Sequence, residues 1–296
     1  MRNFGETIKS NPRGANVWRR CMGLRELPLE PQLRLVRQLG LTSLELGIAN
    51  APMDLPADAS EEAIERVSAL YEKYGIELFC AATGNDFTVS GEELRAQAEK
   101  IQAVIRLCGK LRIRVLRIFC GFKKRAETSE ECVEKLVSTL MNVQETAEMH
   151  GVMLAVETHG AVEPFGSGVR HFRSLTTQAE DLLALLDRTG HKIKLVFDPA
   201  NLTAVGETGL CSFWQAVRQD TAYIHLKDFK ADASGALHPT AFGCGDTDWT
   251  GLAGALRDSG LPAFFEYENC PDIEEGLKKC CHFWNEIERT EGHEHF

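Results

Sequence analysis

Four side chains able to hold a cation close four short apolar runs in the second half of the chain. Glu157 follows Leu154-Ala155-Val156 and Asp198 follows Leu195-Val196-Phe197; His225 follows Tyr223-Ile224 and Glu266 follows Phe264-Phe265. An ionised carboxylate directly after an apolar run is costly to bury unless something compensates it, and a divalent cation does so. Three carboxylates and one imidazole make a hard, mostly oxygen donor set. Such a set suits manganese, magnesium or cobalt, with zinc as a further option, and leaves coordination positions open for substrate oxygens. A structural zinc site would instead be closed and rich in thiolate. The ten cysteines are scattered without a Cys-X-X-Cys pair and read as reduced thiols. Each of the four residues alone has an ordinary reading, as an Asx turn, a helix cap or a hydrogen-bonded buried histidine. Their matched placement is what points to a metal.

The elements that must position them follow from periodicity. Eight short runs rich in β-branched or aromatic residues, at 17–22, 43–46, 77–81, 115–119, 153–157, 194–198, 223–227 and 263–267, alternate with helical patterns. Val133, Leu136, Val137, Leu140, Val143 and Ala147 form one helical stripe, and Leu94, Ala98, Ile101, Ile105 and Cys108 another. Helix starts are expected at Thr128 with Glu131, Ser90 with Glu93 and Thr177 with Glu180. Left-handed ends are expected at Gly40, Gly75, Gly109, Gly151, Gly190 and Gly260. Helix, glycine and strand in repetition mean parallel strands with right-handed crossovers. Eight such units favour an α/β fold closed into a (β/α)8 TIM barrel over an open doubly wound sheet, and no dinucleotide glycine motif follows the first strand. Consecutive strands then bring Glu157, Asp198, His225 and Glu266 to one arc of the barrel mouth. Residues 160–173 and 229–249 read as long loops leaving the same strand ends, where barrel active sites are built. No linker divides the sequence, so residues 1–296 are expected to form a single domain.

The net charge is −10 and 44% of the residues are hydrophobic. A large core is therefore available, and an acidic surface argues against nucleic acid, whose phosphates call for a basic stripe. The first residues lack the apolar segment of a signal peptide and no run is long enough to span a bilayer. A cytoplasmic protein with no membrane partner is expected, with a homo-oligomer left open.

Glu157, then Asp-Pro-Ala-Asn-Leu from Asp198, His-Leu-Lys-Asp from His225, Gly-Cys-Gly-Asp-Thr-Asp-Trp from Gly243 and Phe-Glu-Tyr-Glu-Asn from Phe265 stand in a telling order. The order resembles the sugar phosphate isomerase/epimerase group of the xylose-isomerase-like barrels. That group includes ketose 3-epimerases, inosose-metabolising isomerases and dehydratases, and endonuclease IV. The resemblance covers about residues 150–270; before that it rests mainly on Leu44-Glu45-Leu46-Gly47. It implies one divalent ion, manganese expected, held by Glu157, Asp198, His225 and Glu266, with Glu266 preferred over Glu268 as fourth ligand. Strand alternation puts His159 on the face of Glu157, Lys227 on that of His225 and Glu268 on that of Glu266. These three, with Asn201 and His238, are the expected substrate contacts. Asn201 stands where many epimerases of the group carry histidine, and Ala231 where several ketose epimerases carry arginine.

The expected activity is a metal-dependent isomerase or epimerase acting on a sugar, keto-sugar or cyclitol. Glu157 and Glu266 would move the proton through a metal-stabilised enediolate. A lyase with the same machinery, a dehydratase or a 3-oxo-sugar deglycosidase, is the close alternative. An endonuclease IV-like nuclease is the distant one. It needs about three metals, and the strand ends at 81–83 and 119–121 carry no histidine for them.

Overall fold

In the computed structural model of the protein, the described residues are 19–22, 24, 27–50, 53–267 and 272–290. The strand-forming runs become β1 (Arg19–Met22), β2 (Ser43–Leu44), β3 (Leu46–Gly47), β4 (Cys80–Ala82), β5 (Val115–Ile118), β6 (Met153–Glu157), β9 (Lys194–Phe197), β10 (Thr221–Leu226) and β13 (Ala263–Glu266). All pair in parallel, in the order β2-β1-β13-β10-β9-β6-β5-β4-β3. β2 and β3 are halves of one run interrupted at Glu45, so the order ends where it starts. The sheet is a closed eight-position barrel, as the repeated helix–glycine–strand unit predicts.

Around it lie α1 (Leu29–Gln38), α2 (Glu61–Tyr74), α3 (Gly91–Lys110), α4 (Glu130–His150), α5 (Ala179–Arg188), α6 (Pro199–Ala204), α7 (Leu210–Val217), α8 (Leu252–Asp258) and α9 (Ile273–Thr290). Their apolar stripes face the barrel: Ile101, Ile105 and Cys108 on α3 and Leu136, Leu140, Val143 and Ala147 on α4 are buried. Among the described residues no helix is long and apolar enough to cross a membrane.

The helix ends differ in detail from expectation. The cap of α4 is Ser129, whose hydroxyl accepts from the Cys132 amide, while Thr128 donates to the Lys124 carbonyl. Ser90 precedes α3 without a side-chain cap bond. Thr177 belongs to a short 3-10 turn capped by Ser174 rather than to α5. Gly40, Gly75, Gly151, Gly190 and Gly260 do adopt positive φ, but Gly109 lies inside α3 and Arg112 takes the left-handed position instead, at φ 57°. A Cβ on Gly109 would come within 3.0 Å of the His150 Cβ, so this glycine lets α3 and α4 approach.

The two segments read as loops are ordered sheet. β7 (Ala161–Phe165) and β8 (Gly168–Phe172) form one hairpin; β11 (Asp228–Ala231) and β12 (Leu237–Thr240) form another. Val169 pairs with Leu237, joining both into a four-stranded antiparallel sheet of order β11-β12-β8-β7. It springs from the C-terminal ends of β6 and β10. The strands are only partly buried and β7 contains Pro164, so no apolar alternation announces them.

Candidate metal centre

Side-chain alternation divides the barrel interior into levels. Val115, Ala155, Val196, Tyr223 and Phe264 belong to an enclosed apolar cluster inside the barrel. Two residues further along the same strands come Arg117, Glu157, Asp198, His225 and Glu266, all buried. Glu157, Asp198, His225 and Glu266 each present a donor atom, and these atoms lie within 4.8 Å of one another. Asp198 is fixed twice: it directly follows β9, and its Oδ1 caps α6 by accepting the Asn201 backbone amide at 2.9 Å, with Pro199 at the first helical position. His225 Nδ1 faces Glu266 Oε2 at 3.1 Å, Glu157 Oε1 at 3.5 Å and Asp198 Oδ2 at 3.9 Å. Yet among the described residues neither His225 nitrogen makes a hydrogen bond of ordinary geometry. Buried polar atoms seldom stay unmatched. A divalent cation among these four donors would satisfy them, and the oxygen-rich set fits one.

A ring of further charge surrounds the cluster. The Lys227 ammonium is 3.0 Å from Asp198 Oδ2, 3.1 Å from Glu266 Oε2 and 3.8 Å from Glu157 Oε1. The Asn201 amide donates to Glu157 Oε1, Asp198 Oδ2 and the Thr158 carbonyl at 3.0–3.1 Å. Both side chains were expected at the substrate; both are bonded to the carboxylates themselves. On the other side Arg117 Nε lies 3.3 Å from Glu157 Oε2, and its guanidinium is 3.8 Å from Glu45 Oε1. Glu45 Oε2 accepts the Tyr223 hydroxyl at 2.7 Å and lies 3.7 Å from His225 Nε2.

Burial alone would raise every carboxylate here, and neighbouring charge decides the outcome. For Glu157, Arg117 and then His225 override burial and draw it down to about 2. Glu266 is likewise held well below the usual range, against burial, by Lys227 and His225. Asp198 is pushed up to about 7 by burial, reinforced by Glu266 and Glu157 and opposed by Lys227. Burial resists charge on His225, but Glu157 and Glu266 raise it well above an ordinary imidazole.

Glu45 and Arg117 were not among the expected site residues. Each is a charged residue inside an apolar strand, Leu-Glu-Leu and Leu-Arg-Ile, which is the signal that singled out the other four.

His159 faces inward beyond Glu157, its Nδ1 2.6 Å from the Gly160 carbonyl oxygen. Its ring meets Phe119 at 5.1 Å and Phe122 at 5.5 Å. Burial lowers its pKa. Over it the antiparallel sheet places His171, a residue the sequence did not flag, 6.0 Å from His159 and 5.0 Å from Phe229 between ring centroids. His238 is not brought to the cluster. On β12 it pairs with Asp232 Oδ2 at 3.1 Å and approaches Ser167 Oγ at 3.4 Å. Glu268 lies outside the described residues. Gly243-Cys244-Gly245 is shaped by Asp228, which accepts the Gly243 and Thr247 amides and the Trp249 indole N–H. A Cβ on Gly245 would sit 2.3 Å from Asp228 Oδ1.

A closed parallel barrel with a carboxylate-rich cluster at the C-terminal mouth defines a class of protein, and the wider comparison names the family. Residues 33–287 match the xylose isomerase-like TIM barrel family, to which this chain belongs. Among solved structures it is similar to the probable 3-DHS dehydratase AsbF of Bacillus anthracis, at 16% identity and TM-score 0.72, covering 90% of this chain and 98% of that one. It is also similar to a D-allulose 3-epimerase from Methylomonas sp., at 15% identity and TM-score 0.70, covering 92% and 98%. A third is a xylose isomerase-like TIM barrel protein from Mycobacterium smegmatis in complex with magnesium, at 13% identity and TM-score 0.68, covering 91% and 96%. At these identities the likeness is one of fold. No curated protein matches the chain by sequence.

Proposed function

We propose that the protein is a divalent-metal-dependent isomerase or epimerase that moves the proton beside a carbonyl of a sugar, keto-sugar or cyclitol. The observation that carries this is the enclosed cluster of Glu157, Asp198, His225 and Glu266, in which neither His225 nitrogen has a hydrogen bond among the described residues. A bound divalent ion, manganese expected and magnesium, cobalt or zinc as alternatives, supplies Lewis acidity for a carbonyl and its neighbouring hydroxyl. Glu157 and Glu266 stand on β6 and β13, flanking β9 and β10 in the sheet order, and so approach the mouth from two sides. One takes the proton and the other returns it. Arg117 and Asn201 brace Glu157, whereas Lys227 braces Glu266. His159, with Phe119 and Phe122, forms an aromatic wall beyond the carboxylates.

The similarity in fold to both a 3-epimerase and a dehydratase keeps a second reading open. In a lyase the same proton is removed and a β-substituent then leaves. One experiment orders these readings. The protein is incubated with Mn2+ and a panel of keto-sugars and inososes in D2O, and in parallel with abasic DNA. Metal-dependent deuterium entry beside the carbonyl is expected, and Glu157→Gln and Glu266→Gln should each lose it more completely than they lose metal. Loss of water or of a glycosidic group would make the enzyme a lyase. DNA incision with no sugar turnover would overturn the proposal.

A further inference from the structure

We infer that Lys227 is a built-in competitor for the divalent ion, holding the oxygens that the ion would take and so setting the concentration at which the centre loads. This rests on the metal reading above and adds to it a control on occupancy. β10 ends at Leu226, and Lys227 follows on the face of His225 with 9% of its side chain exposed. Among the described residues its ammonium faces three oxygens of the cluster, Glu157 Oε1, Asp198 Oδ2 and Glu266 Oε2. The same three face His225 Nδ1. One oxygen face therefore serves both the lysine and the site where an ion would meet the imidazole. Arg117 does not duplicate the role, because it pairs with the other Glu157 oxygen, Oε2, and with Glu45.

The charge count gives the device its selectivity. With the His225 imidazole neutral, as a metal ligand must be, three carboxylates and one ammonium leave two negative charges, which a divalent ion balances and a monovalent ion does not. Before loading, the lysine shares with Arg117 the task of meeting the buried carboxylates, whose unmatched charge would strain the fold. Once displaced, the ammonium remains near the Phe229 ring, now 5.5 Å from Nζ. There it can donate to a substrate oxygen.

The test is Mn2+ titration of the metal-stripped protein by calorimetry, comparing wild type with Lys227→Met and Lys227→Gln, and with folding checked by circular dichroism. Removing the ammonium should tighten Mn2+ binding by roughly tenfold or more, as expected for deleting one like charge a few ångströms from the ion. The metal-free variants should melt lower, and Mn2+ should raise their Tm by more than that of the wild type. Variants that fold only when Mn2+ is supplied would support the inference equally. Folded variants that bind Mn2+ no tighter than wild type would overturn the lysine's role and leave the metal centre standing. Absence of Mn2+ binding in every form would remove the metal centre itself. Failure of both variants to fold even with Mn2+ would also count against the inference, because the ion should replace the lost charge.

Discussion

Val196 on β9 and Asp198 just past its end stand two residues apart, and Phe264 and Glu266 two apart on β13. All four are almost completely enclosed by the same barrel. Their levels differ in what enclosure demands. The lower level, with Val115, Ala155 and Phe264, is satisfied by packing, apart from the Tyr223 hydroxyl that reaches up to Glu45. The upper level collects Glu45, Arg117, Glu157, Asp198, His225 and Glu266, whose burial is costly unless each charge is met. Within it Arg117, Lys227, Asn201 and Tyr223 answer part of that demand, and the His225 nitrogens, without a hydrogen bond among the described residues, are left for a ligand. One barrel thus keeps a hydrophobic floor for stability and a charged level for chemistry, separated by one step of strand alternation.

The widest separation between the levels should appear in metal content. Asp198→Ala and His225→Ala are expected to abolish stoichiometric Mn2+ binding while leaving a folded barrel. Phe264→Ala should do the reverse, keeping the metal while losing about 3–5 kcal/mol of stability. Elemental analysis after dialysis, set beside urea unfolding, reads both. Full occupancy in Asp198→Ala and His225→Ala would erase the distinction.

The lower level and the barrel were legible in the sequence because apolar alternation and glycine-ended helices are local signals. The four strand-end residues were legible for the same reason, since a charge after an apolar run is visible without knowing its neighbours. Arg117 and Glu45 carried a similar mark but became meaningful only when closure of the barrel brought β3, β5 and β10 around one interior. The antiparallel sheet was not legible. Its strands are half exposed, and the pairing of Val169 with Leu237 joins segments that sequence distance gives no reason to associate. The cap shift from Thr128 to Ser129 is of another kind. Both residues can cap, and only the φ,ψ values of the turn after Arg125–Glu127 decide between them.

A smaller effect tests whether the upper level is balanced internally. Arg117→Met leaves Glu157 and Glu45 without the guanidinium they share, and about 3–5 kcal/mol of stability should be lost in metal-free protein. Adding Glu45→Leu should recover part of that loss, since the residue most dependent on Arg117 besides Glu157 is then gone. Denaturant midpoints of the single and double variants decide the matter. Additive losses would mean that the two residues do not share one network.

The smallest effect concerns the antiparallel sheet, where a buried titratable group meets no counter-charge. Burial, with His159 and Lys227 adding like charge, pushes the His171 imidazole down from 6.5 to about 3, and among the described residues its Nδ1 makes no hydrogen bond. The sign follows directly. Above 6.5 the imidazole is neutral in both folded and unfolded chains, so it adds no pH dependence. As pH falls below that value, the unfolded chain takes up a proton that the folded one refuses. Stability should then drop by up to about 1.4 kcal/mol per pH unit until the folded group titrates as well. His171→Phe retains an aromatic ring against Phe229 and removes the proton site. Its urea midpoint should therefore fall less steeply than that of wild type between about pH 6 and pH 4, with the carboxylate cluster common to both proteins. Parallel curves would show that His171 takes up its proton in the folded state, and the sheet over the mouth would then be open enough to solvate a charge.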